Sequence, residues 1–234
     1  MKHKFWRWVT NAAPDAFGSE RTLYMDGHIS DETWWGDEVT PKAFKEELNA
    51  GSGDITLWIN SQGGDCFAAA QIYNMLMDYT GNVTVKIDGL AASAASVIAM
   101  AGTKVCMSPV TILMIHNLAT LAYGDKAEME KTISMLSEVK ESIINAYEIK
   151  SDLARTKIAH MMDDEIWLNA RKAVELGFAD EILFEQEDGE QQPEAMLYSP
   201  LTVMNSFVQK LKPKKPLQKV PASSLEKRLA LLIH

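Results

Sequence analysis

Gly89-Leu90-Ala91-Ala92-Ser93-Ala94-Ala95-Ser96-Val97-Ile98-Ala99-Met100-Ala101-Gly102 decides how the rest of the chain is read. It follows the alternating run Val83-Thr84-Val85-Lys86-Ile87 and the turn Asp88-Gly89, and it predicts a helix built almost wholly from small residues. Ser93 therefore falls at a strand-to-helix junction. The first turn of a helix carries unpaired N–H groups and a partial positive charge. A serine oxygen there can attack a carbonyl while neighbouring amides receive the developing oxyanion. Alanines on both sides keep the surface low enough for a peptide to approach. The same residues also describe a close-packing helix whose serine only marks its start, and the stretch alone leaves both readings open.

Upstream, Arg21-Thr22-Leu23-Tyr24-Met25-Asp26-Gly27 predicts a strand ending in a turn, and Pro41 to Asn49 a short helix with proline at its first position. Ile55-Thr56-Leu57-Trp58-Ile59 predicts a buried strand that runs into Asn60-Ser61-Gln62-Gly63-Gly64-Asp65. A helix follows over about 67–79, with Ile72, Met75, Leu76 and Tyr79 on one side. Strand, loop and helix thus recur twice before residue 102, the pattern of repeated ββα or βαβ units. The Gly-Gly loop lacks both the Lys-Ser/Thr of a phosphate loop and the three-glycine spacing of a dinucleotide site, which disfavours nucleotide binding.

Downstream, Lys104-Val105-Cys106-Met107 and Thr111-Ile112-Leu113-Met114-Ile115 predict two short strands, the second ending at His116-Asn117. A lone histidine at a strand end is ordinarily a satisfied surface residue, but strand ends are also where α/β enzymes display reacting groups. From about 126 to 153 the spacing of Met129, Ile133, Leu136, Val139, Ile143 and Tyr147 predicts one amphipathic helix. It would be roughly 40 Å long, too long for a domain of this size to cover, so its apolar face is expected to meet another subunit. Asp163-Asp164-Glu165 forms an acidic turn before Ile166-Trp167-Leu168. Asn169 then caps a helix over 170–176 that stops at Gly177.

Composition sets the outer limits. The 234 residues allow one sizeable α/β domain, expected over 21–184, preceded by an arm over 1–20. Residues 185–234 read as a linker and tail ending in a short amphipathic helix. A net charge of −9 argues against general nucleic-acid binding, and no run approaches the ~20 apolar residues of a membrane span. The start, Met1-Lys2-His3-Lys4-Phe5-Trp6-Arg7-Trp8, lacks the apolar core of a signal peptide, so a cytoplasmic location is expected. Cys66 and Cys106 have neither paired spacing nor metal-ligand neighbours and are expected to be buried thiols, not a disulfide or a zinc site.

Four segments in order carry a resemblance: Ile59-Asn60-Ser61-Gln62-Gly63-Gly64, Gly89 to Ala95, Met114-Ile115-His116, and Trp167-Leu168-Asn169-Ala170 through Asp180. Over about 23–183 the chain resembles the proteolytic subunit of Clp protease. The resemblance implies an α/β spiral of repeated ββα units, shared with crotonases, with a long handle helix. It implies that Ser93 is the nucleophile, His116 the base, and Gly64 and Ala94 the oxyanion-hole amides. The family's acid precedes a pattern like R-F-x-S/T-A and maps onto Glu165, with Asp164 as the alternative acid and Asp163 beside it. No metal or other cofactor is implied.

The arginine that relatives use across the ring-to-ring contact has no counterpart, and Asn117 to Gly124 replaces the usual Pro and Gly residues after the histidine. The ends of the chain are more similar to Clp-like proteases encoded beside capsid genes in phages and prophages. The expectation is therefore a serine endopeptidase whose chemistry needs no ATP, acting on polypeptides such as capsid or scaffold proteins. It would work inside a homo-oligomeric ring, a heptamer or a double ring, with the use of an AAA+ unfoldase left open. The competing readings are a crotonase-like acyl-CoA enzyme and a non-catalytic ring component of the same fold.

Overall fold

The computed structural model describes residues 4–10, 21–30 and 41–184. The expectations for the remainder of the arm and for the linker and tail over 185–234 lie outside the described residues. In chain order the elements are β1 (Trp6–Thr10), β2 (Arg21–Ile29), α1 (Pro41–Asn49), β3 (Ile55–Gly64), α2 (Cys66–Met77), β4 (Val83–Ala92) and α3 (Ala94–Ala99). There follow β5 (Lys104–Met107), β6 (Ile112–Ile115), α4 (Lys126–Ser151), α5 (Arg155–Asp163), β7 (Ile166–Asn169), α6 (Ala170–Glu175) and β8 (Glu181–Ile182).

The class is α/β, as the sequence predicts: one eight-stranded sheet runs β1-β2-β3-β4-β5-β8, with β6 joining β4 and β7 joining β6. Alternation along the strands builds the core. Leu23, Leu57, Val85 and Val105 lie side by side across β2 to β5, and Met25, Ile59, Ile87 and Met107 form the next row. All eight are fully buried in one core with Phe44 and Leu48 of α1 and Ile72 and Leu76 of α2. Each such side chain contributes about 1.5–3 kcal/mol relative to exposure.

Three local outcomes differ from the sequence expectation. β3 runs on to Gly64, where a loop is expected after Ile59, because β2 keeps pairing with it as far as Ile29 opposite Gly64. Part of the arm is a strand: β1 pairs antiparallel with β2, Trp6 is buried edge-on against Phe44 at 5.4 Å, and its indole N–H donates to Glu47 at 2.7 Å. The run is too short to alternate visibly, which is why it read as a loop. The small-residue helix is also shorter than predicted. Strand pairing of β4 continues to Ala92, and α3 closes at Met100, leaving a single six-residue helix.

β4 places the site. Its first half, 84–87, pairs with β5. After Asp88-Gly89 its second half, 90–92, pairs instead with β6, Ala92 opposite Met114. One strand thus turns from one layer of pairing to another and ends at Ser93.

Candidate active site

Ser93 has φ 55° and ψ −123°, a region that costs a non-glycine residue about 1–3 kcal/mol. Its N–H donates to Met114 O at 2.9 Å, so the β4–β6 ladder extends one step beyond the strand. Its hydroxyl makes no helix cap. It lies instead 2.7 Å from His116 Nε2, so the reading of Ser93 as a plain helix start fails on the hydroxyl's own contact. His116 is two residues past Met114 at the exit of β6, which is how main-chain pairing brings the two groups together.

The Gly-Gly end of β3 closes over this junction. Gly63 and Gly64 have φ of 96° and 151°. A Cβ on Gly63 would lie 2.8 Å from Ser93 Cβ and 2.9 Å from Ala94 N, and one on Gly64 would lie 2.0 Å from Ile29 O. Both glycines are therefore demanded by close approach as well as by conformation. Ser61, buried beneath them, accepts from Gly63 N–H at 3.0 Å and donates to Gly27 O. Asp65 caps α2 by accepting from Ala68 N–H at 2.7 Å. Gly64, Ser93 and His116 open onto a cleft of about 330 Å³ whose further walls include Cys66, Phe67, Leu118, Met135, Leu136 and Val139. Both cysteines are free; Cys106 is buried as expected, whereas Cys66 is only half-buried because it lines the cleft. Burial, and secondarily Asp65, push the Cys66 thiol up, so it stays protonated in the cleft.

The acidic turn arrives beside the histidine. Asn117 N–H donates to Met162 O at 3.2 Å, and the Asn117 amide donates to Asp163 Oδ1 at 2.8 Å. Lys140 of α4 reaches the same oxygen at 2.5 Å. The Asn117 amide, and next the Lys140 ammonium, hold the Asp163 carboxyl below the ordinary carboxylate range. Neither candidate acid touches His116. Glu165, at φ 49°, accepts from the Trp167 indole N–H at 3.2 Å, and Asp164 is exposed. Among the described residues no carboxylate contacts the imidazole, and no group of three or more His, Cys, Asp or Glu could hold a metal ion.

Sequence reasoning named Ser93, His116, Gly64 and Ala94, and the structure gathers them at one strand-to-helix junction. It gave no role to Ser61, to the Asn117–Asp163–Lys140 link, or to the walls Phe67 and Met135. The β2–β3 register seats Ser61 between Gly27 and Gly63, the approach of α4 and α5 makes the Asp163 link, and α2 and α4 carry Phe67 and Met135 to the cleft, none of which is written in local spacing.

A serine hydroxyl bonded to a histidine, at a strained strand-to-helix junction facing an open cleft on an α/β fold, is the arrangement that serine-hydrolase chemistry needs. Comparison with known proteins places it further. The family model for Clp protease matches residues 11–186. The chain belongs to the Clp protease family. It is 31% identical over 135 residues to the ATP-dependent Clp protease proteolytic subunit of Bacteroides fragilis, covering 57% of this chain and 65% of that protein. It is 31% identical over 171 residues to subunit 2 from Thermobifida fusca, covering 72% and 83%. It is 27% identical over 155 residues to subunit 1 from Chlamydia muridarum, covering 64% and 81%. The chain spans just under two thirds of the length of the Bacteroides fragilis relative.

Proposed function

We propose that this chain is a serine endopeptidase of the Clp proteolytic-subunit type. The observation that carries the reading is the 2.7 Å contact between Ser93 Oγ and His116 Nε2, made by a hydroxyl that could have capped its helix and does not. His116 in the tautomer with a free Nε2 takes the Ser93 proton as Oγ attacks the peptide carbonyl. The imidazolium then returns it to the leaving amine, and water repeats the cycle on the acyl-enzyme. The Gly64 and Ala94 amides receive the oxyanion. Glu165, or Asp164 in its place, is the acid assigned to hold the imidazole. The tie from Asn117 to Asp163 keeps the acidic turn beside the histidine. The chemistry requires neither ATP nor a cofactor.

The substrates are polypeptides, with phage capsid or scaffold proteins the class suggested by the unusual ends of the chain. The working unit is a closed ring, of seven subunits or as two stacked rings, that encloses Ser93. Support comes from α4, whose Ile133 and Ile149 are 65% and 67% exposed, and from Leu121 and Tyr123, which project fully from the loop before it. Soluble chains seldom leave such surface bare.

The test is labelling by a fluorophosphonate probe. Wild type should be labelled and Ser93→Ala should not, with hydrolysis of a fluorogenic peptide lost in parallel. The absence of a carboxylate on His116 among the described residues favours a second reading, a non-catalytic ring component, for which wild type would resist the probe. A crotonase-like acyl-CoA enzyme would resist it too and would bind coenzyme A.

A further inference from the structure

Behind the nucleophile lies a buried pair of hydroxyls that the proposed reaction does not use. Ser96 Oγ donates to the carbonyl oxygen of Ser93 at 2.6 Å. Its single proton is thereby committed, so the 2.8 Å contact with Tyr147 is a bond donated by the phenol. Ser96 is fully buried and Tyr147 nearly so, which excludes Ser96 as an alternative nucleophile. Burial pushes the phenol up, so it is a donor at every working pH. Phe178 fixes the Tyr147 ring edge-on at 5.8 Å.

The carbonyl held in this way belongs to the peptide unit whose other end is the Ala94 N–H. A trans peptide is planar, and its C=O and N–H point in opposite directions. Anchoring Ser93 O toward Ser96 therefore aims the Ala94 N–H the other way, toward the Gly-Gly end of β3, where Ala94 N lies within 2.9 Å of the position a Gly63 Cβ would take. The backbone bonds from Ser96 N–H at 3.0 Å and Val97 N–H at 3.4 Å pull the same carbonyl less closely than the hydroxyl does. Ser93 lies outside the ordinary backbone wells, so little in its own torsional preference holds this peptide plane.

We propose that Ser96 and Tyr147 are positioning residues for the Ala94 oxyanion donor, acting through the Ser93 carbonyl. The inference rests on the peptidase reading above. It also ties α4 to the reaction, because the helix that carries Tyr147 supplies the Met135, Leu136 and Val139 wall of the cleft.

The test compares Ser96→Ala, Tyr147→Phe and the double variant in the full-length protein, measuring kcat and KM on a fluorogenic peptide, inhibition by a peptide boronate, and the thermal midpoint. A boronate adduct is tetrahedral and anionic, so it reads the oxyanion site directly. Ser96→Ala should lower kcat about tenfold, less than deleting a donor costs, with KM within about twofold and boronate affinity falling in proportion to kcat. Tyr147→Phe, which keeps every carbon atom and so protects the fold, should lose about threefold in the same pattern. Because the phenol acts through Ser96, the double variant should be no worse than Ser96→Ala. Unchanged kcat in Tyr147→Phe and Ser96→Ala, or a loss confined to KM or to the melting temperature, overturns the positioning role while wild type still hydrolyses peptide. Full hydrolysis by Ser93→Ala overturns Ser93 as the nucleophile, and a wild type that cleaves no peptide overturns the peptidase reading; either result takes this inference with it.

Discussion

At residue scale, Ser93 is held at a backbone angle that its side chain opposes, and substitutions there separate conformational cost from chemistry. Ser93→Ala keeps the strain and removes the hydroxyl, whereas Ser93→Gly removes both. The glycine variant should be about 1 kcal/mol more stable than the alanine variant by urea titration, since relief of strain outweighs the added freedom of its unfolded chain. Equal midpoints would mean that φ 55° costs nothing here. Gly64 faces the reverse constraint. A methyl group 2.0 Å from Ile29 O cannot be accommodated without moving β2, so Gly64→Ala should lose about 3 kcal/mol along with peptide hydrolysis. For the acid, kinetics of Glu165→Gln and Asp164→Asn should differ. The residue that holds the imidazole should cost ~10⁴ in kcat and the other little. Equal and small losses would leave a Ser93–His116 dyad.

Among the elements, the link from β6 through Asn117 to α5 and α4 ties the histidine's strand to the acidic turn. The Asp163 carboxyl is depressed in the fold, so its contribution is present above the ordinary carboxylate value and is lost as pH falls through the depressed one. Asp163→Asn should therefore lower the thermal midpoint relative to wild type at pH 5 to 7. That difference should begin to shrink as pH falls below the ordinary value of 3.8 and vanish once the depressed carboxyl is itself protonated. A difference that persists there would show that Asp163 acts through packing instead of charge.

The strands and long helices were legible because their apolar spacing repeats: β3 and β4 begin where period puts them, at Ile55 and Val83, though each runs five residues past the expected end, and α4 stops at Ser151, two residues short of the expected 153. Asn169 caps α6, accepting from Lys172 N–H at 2.9 Å, as its type and place before the helix suggest. β1 was not legible, since Trp6 and Trp8 make up most of its pattern and its partner β2 lies across a long connection. The choice among Asp163, Asp164 and Glu165 was not legible either. Three consecutive carboxylates diverge in space according to the chain reversal at Glu165, which no propensity fixes for a glutamate.

For the whole molecule, α4 is the element with too much apolar surface for one chain. None of its residues before Ile144 is buried, while Ile144 and Tyr147 are packed into the core. Leu136 and Val139 face the cleft, so charge placed there would disturb assembly and site together. Ile133 lies outside the cleft walls and is the cleaner probe. Ile133→Glu should split the proposed ring and lower hydrolysis, as followed by light scattering with activity on the same sample. A wild-type mass near one chain of 26.1 kDa at micromolar concentration, with undiminished hydrolysis, would sink the ring. The Ala92–Met114 pairing and the Ser93 N–H to Met114 bond fix the spacing of Ser93 and His116 through the main chain, which no side-chain exchange at 93 or 116 abolishes. A subunit stripped of its hydroxyl is thus a structural twin of a working one, and the two should co-assemble at random. Blends of the two then report on communication between neighbours: output falls in simple proportion to dosage if each site works alone, and below that line if one silent subunit handicaps the next.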